Sequence, residues 1–153
     1  MATTSGNNIV KPGRVLEAPR TAGVDFNQGD LVYSNSGVTT AAASDANCQY
    51  LIGVARVASP FDPTPYGTAV YPAYAEVDFG GIYAFKTTVG ETFEHGIPVY
   101  IGADAQTVTS TAGANVYPVG KIDNPSGVNI TGAAGVMVNI RIYNRTITGA
   151  AII

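Results

Sequence analysis

The sequence predicts an all-β protein: a single compact β-sandwich or barrel domain with two quasi-repeated halves and an extended N-terminal arm. Three observations predict it. The pattern Phe-x-x-Gly-x-x-Val-Tyr occurs twice, at Phe26–Tyr33 and, 67 residues later, at Phe93–Tyr100. At the same offset Tyr50-Leu51-Ile52-Gly53 maps onto Tyr117-Pro118-Val119-Gly120, which is too long a period for a solenoid unit and suits a domain of two comparable halves. Period-two alternation runs through Ala75–Thr87, and 18 glycines and 9 prolines supply turns without any collagen-like repeat.

Composition narrows the function classes. A chain of 153 residues has the length of one domain and can bury roughly two-thirds of its unfolded surface. Charged residues are only 12%, about half the usual share, while 46% are hydrophobic, so much of the surface is expected to be covered by partners. The net charge of −3 divides into +2 on residues 1–20, from Lys11, Arg14 and Arg20 against Glu17, and −5 on the remainder. An acidic body without a Lys/Arg cluster argues against nucleic acid as a partner, because such binding runs on phosphate neutralisation. Cys48 is alone, so no internal disulfide can form, and no Cys/His cluster offers a metal site. Met1–Asn8 has neither the positive region nor the apolar core of a signal peptide, and no run of 18 apolar residues occurs. The expectation is a chain made in a reducing cytoplasm, with no membrane partner.

Residues 1–23 mix Thr, Ser, Gly, Asn and Pro with scattered charges and read as an extended arm, able to order on a neighbour's sheet edge. Residues 24–145 form the β domain. Leu31-Val32-Tyr33 and Val38-Thr39-Thr40 flank Ser34–Gly37 as a hairpin. Residues 41–49 could form one helical turn at most, and Tyr50–Val57 reads as a strand buried on both faces. Three prolines in Ser59–Gly67 exclude that stretch from a sheet interior and make it a stiff loop presenting Phe61 and Tyr66. In Ala75–Thr87 the odd positions from Ala75 to Phe85 share one face, Glu76, Asp78 and Lys86 take the other, and Ile82 is the misfit. Gly80-Gly81 marks a bend, bulge or close backbone crossing. Val136, Val138, Ile140 and Ile142 repeat the alternation near the end of the second half. Residues 146–153 form an apolar tail ending in Ile152-Ile153, expected to dock on the body or on a neighbouring subunit.

No catalytic constellation emerges. His95 replaces Gln28 in the repeated turn, with only Glu91 and Glu94 near it in sequence, and reads as a turn-capping or surface histidine. Cys48 has no basic neighbour to lower its pKa. Glu76 and Asp78 could form a carboxylate pair on one strand face, but nothing in the sequence points to a cleft around them. The glycine-rich stretches lack the Lys-Ser/Thr of a phosphate loop. Asn129-Ile130-Thr131 and Asn144-Arg145-Thr146 match the glycosylation pattern by chance. No catalytic, cofactor or metal residues are expected.

Gly29-Asp30-Leu31-Val32-Tyr33 with Gly37-Val38-Thr39, then Ile52-Gly53-Val54-Ala55, Ala75–Phe85 and Gly96-Ile97-Pro98-Val99-Tyr100, followed by Val108-Thr109 and Val119-Gly120, fall in a telling order. That order, over residues 24–143, resembles the capsid decoration (cement or head-fiber) proteins of tailed bacteriophages. The resemblance implies a non-enzymatic virion protein on the outer surface of the expanded capsid, partnered by the major capsid protein and by itself, as a homo-oligomer with a trimer favoured over a dimer. Expected contact residues are Lys11, Arg14 and Arg20 of the arm, Phe61 and Tyr66 of the proline loop, and Ile152 and Ile153 of the tail. The rival class is a carbohydrate- or receptor-binding β-sandwich, for which Tyr66, Tyr71 and Tyr74 near Asp62 would supply an aromatic cluster. A glycosidase using Glu76 or Asp78 is the third.

Overall fold

The computed structural model describes residues 9–19, 26–34, 38–40, 51–56, 74–112 and 118–143. Among these there is no helix, and the strands divide into two halves of the same design. The first half contains β2 (Arg14–Pro19), β3 (Leu31–Ser34), β4 (Val38–Thr40), β5 (Leu51–Ala55) and β6 (Tyr74–Phe79), in the sheet order β2-β6-β5-β3-β4. The second contains β7 (Ile82–Thr87), β9 (Pro98–Ile101), β10 (Thr107–Thr109), β11 (Gly120–Ile122) and β13 (Met137–Ile142), in the order β7-β13-β11-β9-β10. Strand for strand the two orders correspond. In the second half β10 also pairs in parallel with β7, Thr107 opposite Lys86, and this closes a five-stranded barrel. Outside the barrel, β1 (Ile9–Lys11) lies on the β7 edge, while β8 (Thr92–Phe93) and β12 (Ile130–Thr131) form a small ribbon.

The sequence repeat is a repeat of hydrogen bonds. Gly29 N donates to Ala55 O at 2.8 Å and Gly96 N to Ile122 O at 2.9 Å; Asp30 N bonds Asn27 O as Ile97 N bonds Glu94 O. Ala55 N to Asp30 O and Ile122 N to Ile97 O complete each set. Both turns need a left-handed residue before the strand, and glycine supplies it with φ of 91° at Gly29 and 81° at Gly96. Phe26 and Phe93, which open the two motifs, are both buried.

The expected thirteen-residue strand is two strands in two sheets. At Gly80-Gly81 the chain leaves the first half as β6 and enters the barrel as β7. Its partner segment crosses at the same place, through Pro12-Gly13 between β1 and β2. The two segments touch backbone to backbone: a Cβ on Gly81 would stand 2.6 Å from Gly13 N and Lys11 O, so only glycine fits. The break restarts the alternation, which is why Ile82 is buried next to Tyr83 and no longer has to share a face with Asp78.

Part of the expected arm is therefore built into the body. Residues 9–19 are extended, and the sheet edges that accept them belong to their own chain: Arg14–Pro19 pairs along β6 from Phe79 to Tyr74, and Ile9 lies opposite Tyr83. The hairpin β3–β4 and the buried strand β5 form where the sequence predicts them. Residues 41–49, the proline loop and the apolar tail lie outside the described residues.

The core is continuous across the halves. In β13, Val138, Ile140 and Ile142 point inward and Met137 and Arg141 outward. They meet Tyr83, Phe85, Val99, Ile101, Val108 and Ile122 inside the barrel, and Leu31 and Val54 of the first half join the same cluster. Each fully buried side chain of this size contributes about 1.5–3 kcal/mol by leaving water.

Candidate functional site

Three polar or apolar constellations stand out from this framework. The first joins the halves. Leu31 N donates to Ala105 O at 2.8 Å, so the start of β3 is seated on the loop between β9 and β10. Beside it Asp30 is 4% exposed, its Oδ1 accepting from Gln106 Nε2 at 2.7 Å and its Oδ2 from Asn27 N at 2.9 Å. Burial pushes the Asp30 carboxyl above the usual carboxylate range; the bonds from Asn27 and Gln106 work against this, and the nearby Asp104 charge works with it.

The second sits at the chain crossing. Asp78 is completely buried, and both its oxygens accept from Gly13 N, at 2.9 and 3.1 Å. The Tyr83 hydroxyl is buried near it without a hydrogen-bond partner among the described residues. Burial drives the phenol pKa far up, the Asp78 carboxylate drives it further, and Arg56 acts in the opposite sense.

The third is one end of the barrel. β7 and β10 arrive there at Thr87 and Thr109, β11 ends there at Ile122, and β9 and β13 depart at Pro98 and Met137. The connecting turns are tightly bonded: Gly90 N to Gly132 O, Val136 N to Ala133 O and Gly127 N to Asn124 O. They carry Val89 and Val128, each 70% exposed, with Ile97 and Met137 at 42%. Glu91 stitches the same end together, accepting from Thr109 Oγ1 at 2.7 Å and from Ser110 N at 2.7 Å. Burial alone would raise its pKa, but the bonds from Thr109, Ser110 and Thr111 together hold the carboxyl below its ordinary value.

The sequence-derived candidates fall as follows. His95 Nδ1 accepts from Asn124 N at 2.9 Å on the exposed surface, the turn-capping role expected of it. Glu76 and Asp78 do not act as a pair: Glu76 is exposed, whereas Asp78 is buried beneath the crossing and committed to Gly13. Lys11 is exposed at the end of β1, and Arg14 begins β2. Arg20, Phe61, Tyr66, Ile152 and Ile153 lie outside the described residues, as do Cys48, Asp62 and Tyr71. Among the described residues no group of three or more His, Cys, Asp or Glu could hold a metal, and no helix is long and apolar enough to cross a membrane. The Asp30–Gln106 contact escaped sequence reasoning, although the repeat held a signal for it: an acid stands at position 30 where the second copy has Ile97.

No protein-family model matches the chain, and no curated protein matches it in sequence.

Proposed function

We propose that this chain is a structural virion protein that binds the outer surface of an expanded phage capsid and stabilises it by bridging neighbouring major capsid subunits. The observation that carries the reading is the order of its turn-and-strand motifs, which resembles that of the capsid decoration proteins. The low charge and the apolar side chains held on bonded turns at one barrel end support it, since both suit a surface that works while covered. The action is linkage and needs no chemistry. A protein that binds only the expanded lattice lowers that lattice's free energy by RT ln(1 + [L]/Kd) at each site, about 2.7 kcal/mol at a hundredfold excess over Kd. Many sites sum, so weak staples resist the pressure of packaged DNA. In this reading the chain self-associates on the shell, with a trimer favoured, and Lys11, Arg14, Arg20, Phe61, Tyr66, Ile152 and Ile153 contribute contacts.

Co-sedimentation of the purified chain with expanded and unexpanded empty capsids tests the proposal. Binding to expanded shells alone is expected, and sedimentation with neither would overturn it. The arm is best probed by removing residues 1–8 or by Lys11→Glu, because a longer truncation would delete β1 and β2 from the two sheets.

A further inference from the structure

The cations of the barrel are sorted onto its outer wall. In β7, β9, β10, β11 and β13 the only charged residues are Lys86, Lys121 and Arg141, all three exposed, while Glu91, Glu94, Asp104 and Asp123 stand on the connecting segments. Strand register brings a fourth cation beside them. Lys11 on β1 lies opposite Ile82 on β7, Ile82 opposite Arg141 on β13, and Arg141 opposite Lys121 on β11. One row across four adjacent strands therefore reads Lys-Ile-Arg-Lys. With neighbouring strands about 4.8 Å apart, the row is about 14 Å long. Ile82 is buried within it, and Lys11, Arg141 and Lys121 are exposed.

Like charges directly opposite one another destabilise a sheet, and Arg141 faces Lys121 in just that way in a chain with only 12% charged residues. Among the described residues a single carboxylate comes within reach of the row. Asp123 Oδ1 stands 3.5 Å from Arg141 Nη2, an exposed contact of the kind that contributes little. Lys11 and Lys121 have no carboxylate partner among the described residues. We infer that this row is a docking site for a short acidic stretch, rich in Asp or Glu, of a partner polypeptide. A carboxylate can take two parallel hydrogen bonds from the Arg141 guanidinium, with a lysine to either side for its neighbours along the stretch. A nucleic acid duplex fits less well, because its breadth would bring its phosphates against the acid-bearing turns at the barrel ends. The inference holds whether or not the partner is a capsid subunit.

The experiment titrates the full chain, isotopically labelled for amide NMR, with a peptide of alternating Glu and Ala and with its Gln-Ala counterpart as the neutral control. Shifts centred on Lys11, Ile82, Arg141 and Lys121 are expected from the acidic peptide alone. Its affinity should fall about tenfold or more between low and high salt, as exposed charges are screened. Arg141→Glu combined with Lys121→Glu is expected to weaken binding about tenfold or more with the circular dichroism unchanged. Lys11→Gln, which leaves the barrel strands intact, should weaken it about threefold and serves if the double variant does not fold. Lys86 lies opposite Met137, about 14 Å along β13 from Arg141, so Lys86→Gln should change the affinity by less than about twofold. Shifts centred elsewhere, equal binding of the Gln-Ala peptide, no binding at all, or undiminished binding by the Lys11→Gln protein would each overturn the proposal. Tighter binding of a DNA duplex to the same residues would overturn it in favour of nucleic acid. No capsid enters this test, so a failure to sediment with shells and a failure to bind the acidic peptide are separate results.

Discussion

Gly53 and Gly120 hold the same position in the two halves, and at each the missing side chain admits a carbonyl of the neighbouring strand. A Cβ on Gly53 would meet Asp78 O and the Val77 side chain; a Cβ on Gly120 would meet Arg141 O and the Ile140 side chain. The neighbour in each case is backbone, which cannot swing aside. Gly53→Ala and Gly120→Ala are therefore expected to lose about 3 kcal/mol or more of stability. Gly127 is the control: its φ of 73° is left-handed but nothing lies within 4 Å of its Cβ position, so Gly127→Ala should lose only about 1–2 kcal/mol. Urea unfolding of the three variants gives the ranking, and equal losses would refute the crowding argument.

The Asp30 carboxyl joins the halves and has its pKa raised. The sign follows from linkage: the folded state prefers the protonated acid, so its contribution is complete below the unfolded value of about 3.9 and is lost as pH rises through the folded pKa. Measured against Asp30→Asn, the wild-type chain should become relatively less stable as pH climbs from about 4 toward neutrality. Denaturation midpoints of both proteins across that range check this. A difference that stays flat with pH would show that Asp30 does not sense its burial.

Glu91 titrates in the opposite sense. Its folded pKa is lowered, so its stabilisation is present above the unfolded value of about 4.3 and disappears as pH falls through the folded value. Relative to Glu91→Gln, the wild-type chain should hold an advantage at neutral pH that vanishes in acid. Because Thr109 and Ser110 are its donors, Thr109→Val should shrink the same advantage. A Glu91→Gln protein with the wild-type midpoint at neutral pH would sink the assignment.

How far the sequence foretells this structure depends on the range of the interactions. The repeated Phe-x-x-Gly motif marks Gly29 and Gly96 because a turn's chemistry is local, and alternation marks Val138, Ile140 and Ile142 because a strand's two faces are written at period two. The glycine pair 80–81 is legible as a break, but not as a passage between sheets, since that needs Gly13 on the opposing segment, far away in sequence. For the same reason alternation places Asp78 on one face with Glu76 and Lys86 but does not show that the crossing buries it. The Asp30–Gln106 contact spans 76 residues, and only the mismatch with Ile97 hints at it. Residues 9–19 read as an arm because no local signal names the edges that receive them, and edge pairing is chosen by tertiary context.

The buried phenol at the crossing yields the last prediction. Tyr83 is 1% exposed and its hydroxyl lacks a hydrogen-bond partner among the described residues, although the Asp78 carboxylate is its electrostatic neighbour. A buried hydroxyl with no well-aligned partner recovers little of its desolvation cost, even beside the Asp78 carboxylate, whereas a phenyl ring fills the same space at no such cost. Tyr83→Phe is therefore expected to leave stability unchanged or to raise it by about 1 kcal/mol. Asp78→Ala should behave differently, losing about 2–3 kcal/mol, because it strips the half-buried Gly13 N–H of its acceptor and frees the two crossing segments. Urea unfolding of both variants separates the roles. If Tyr83→Phe loses as much as Asp78→Ala, the hydroxyl is bonded to the carboxylate in solution, and the two residues hold the crossing as one unit.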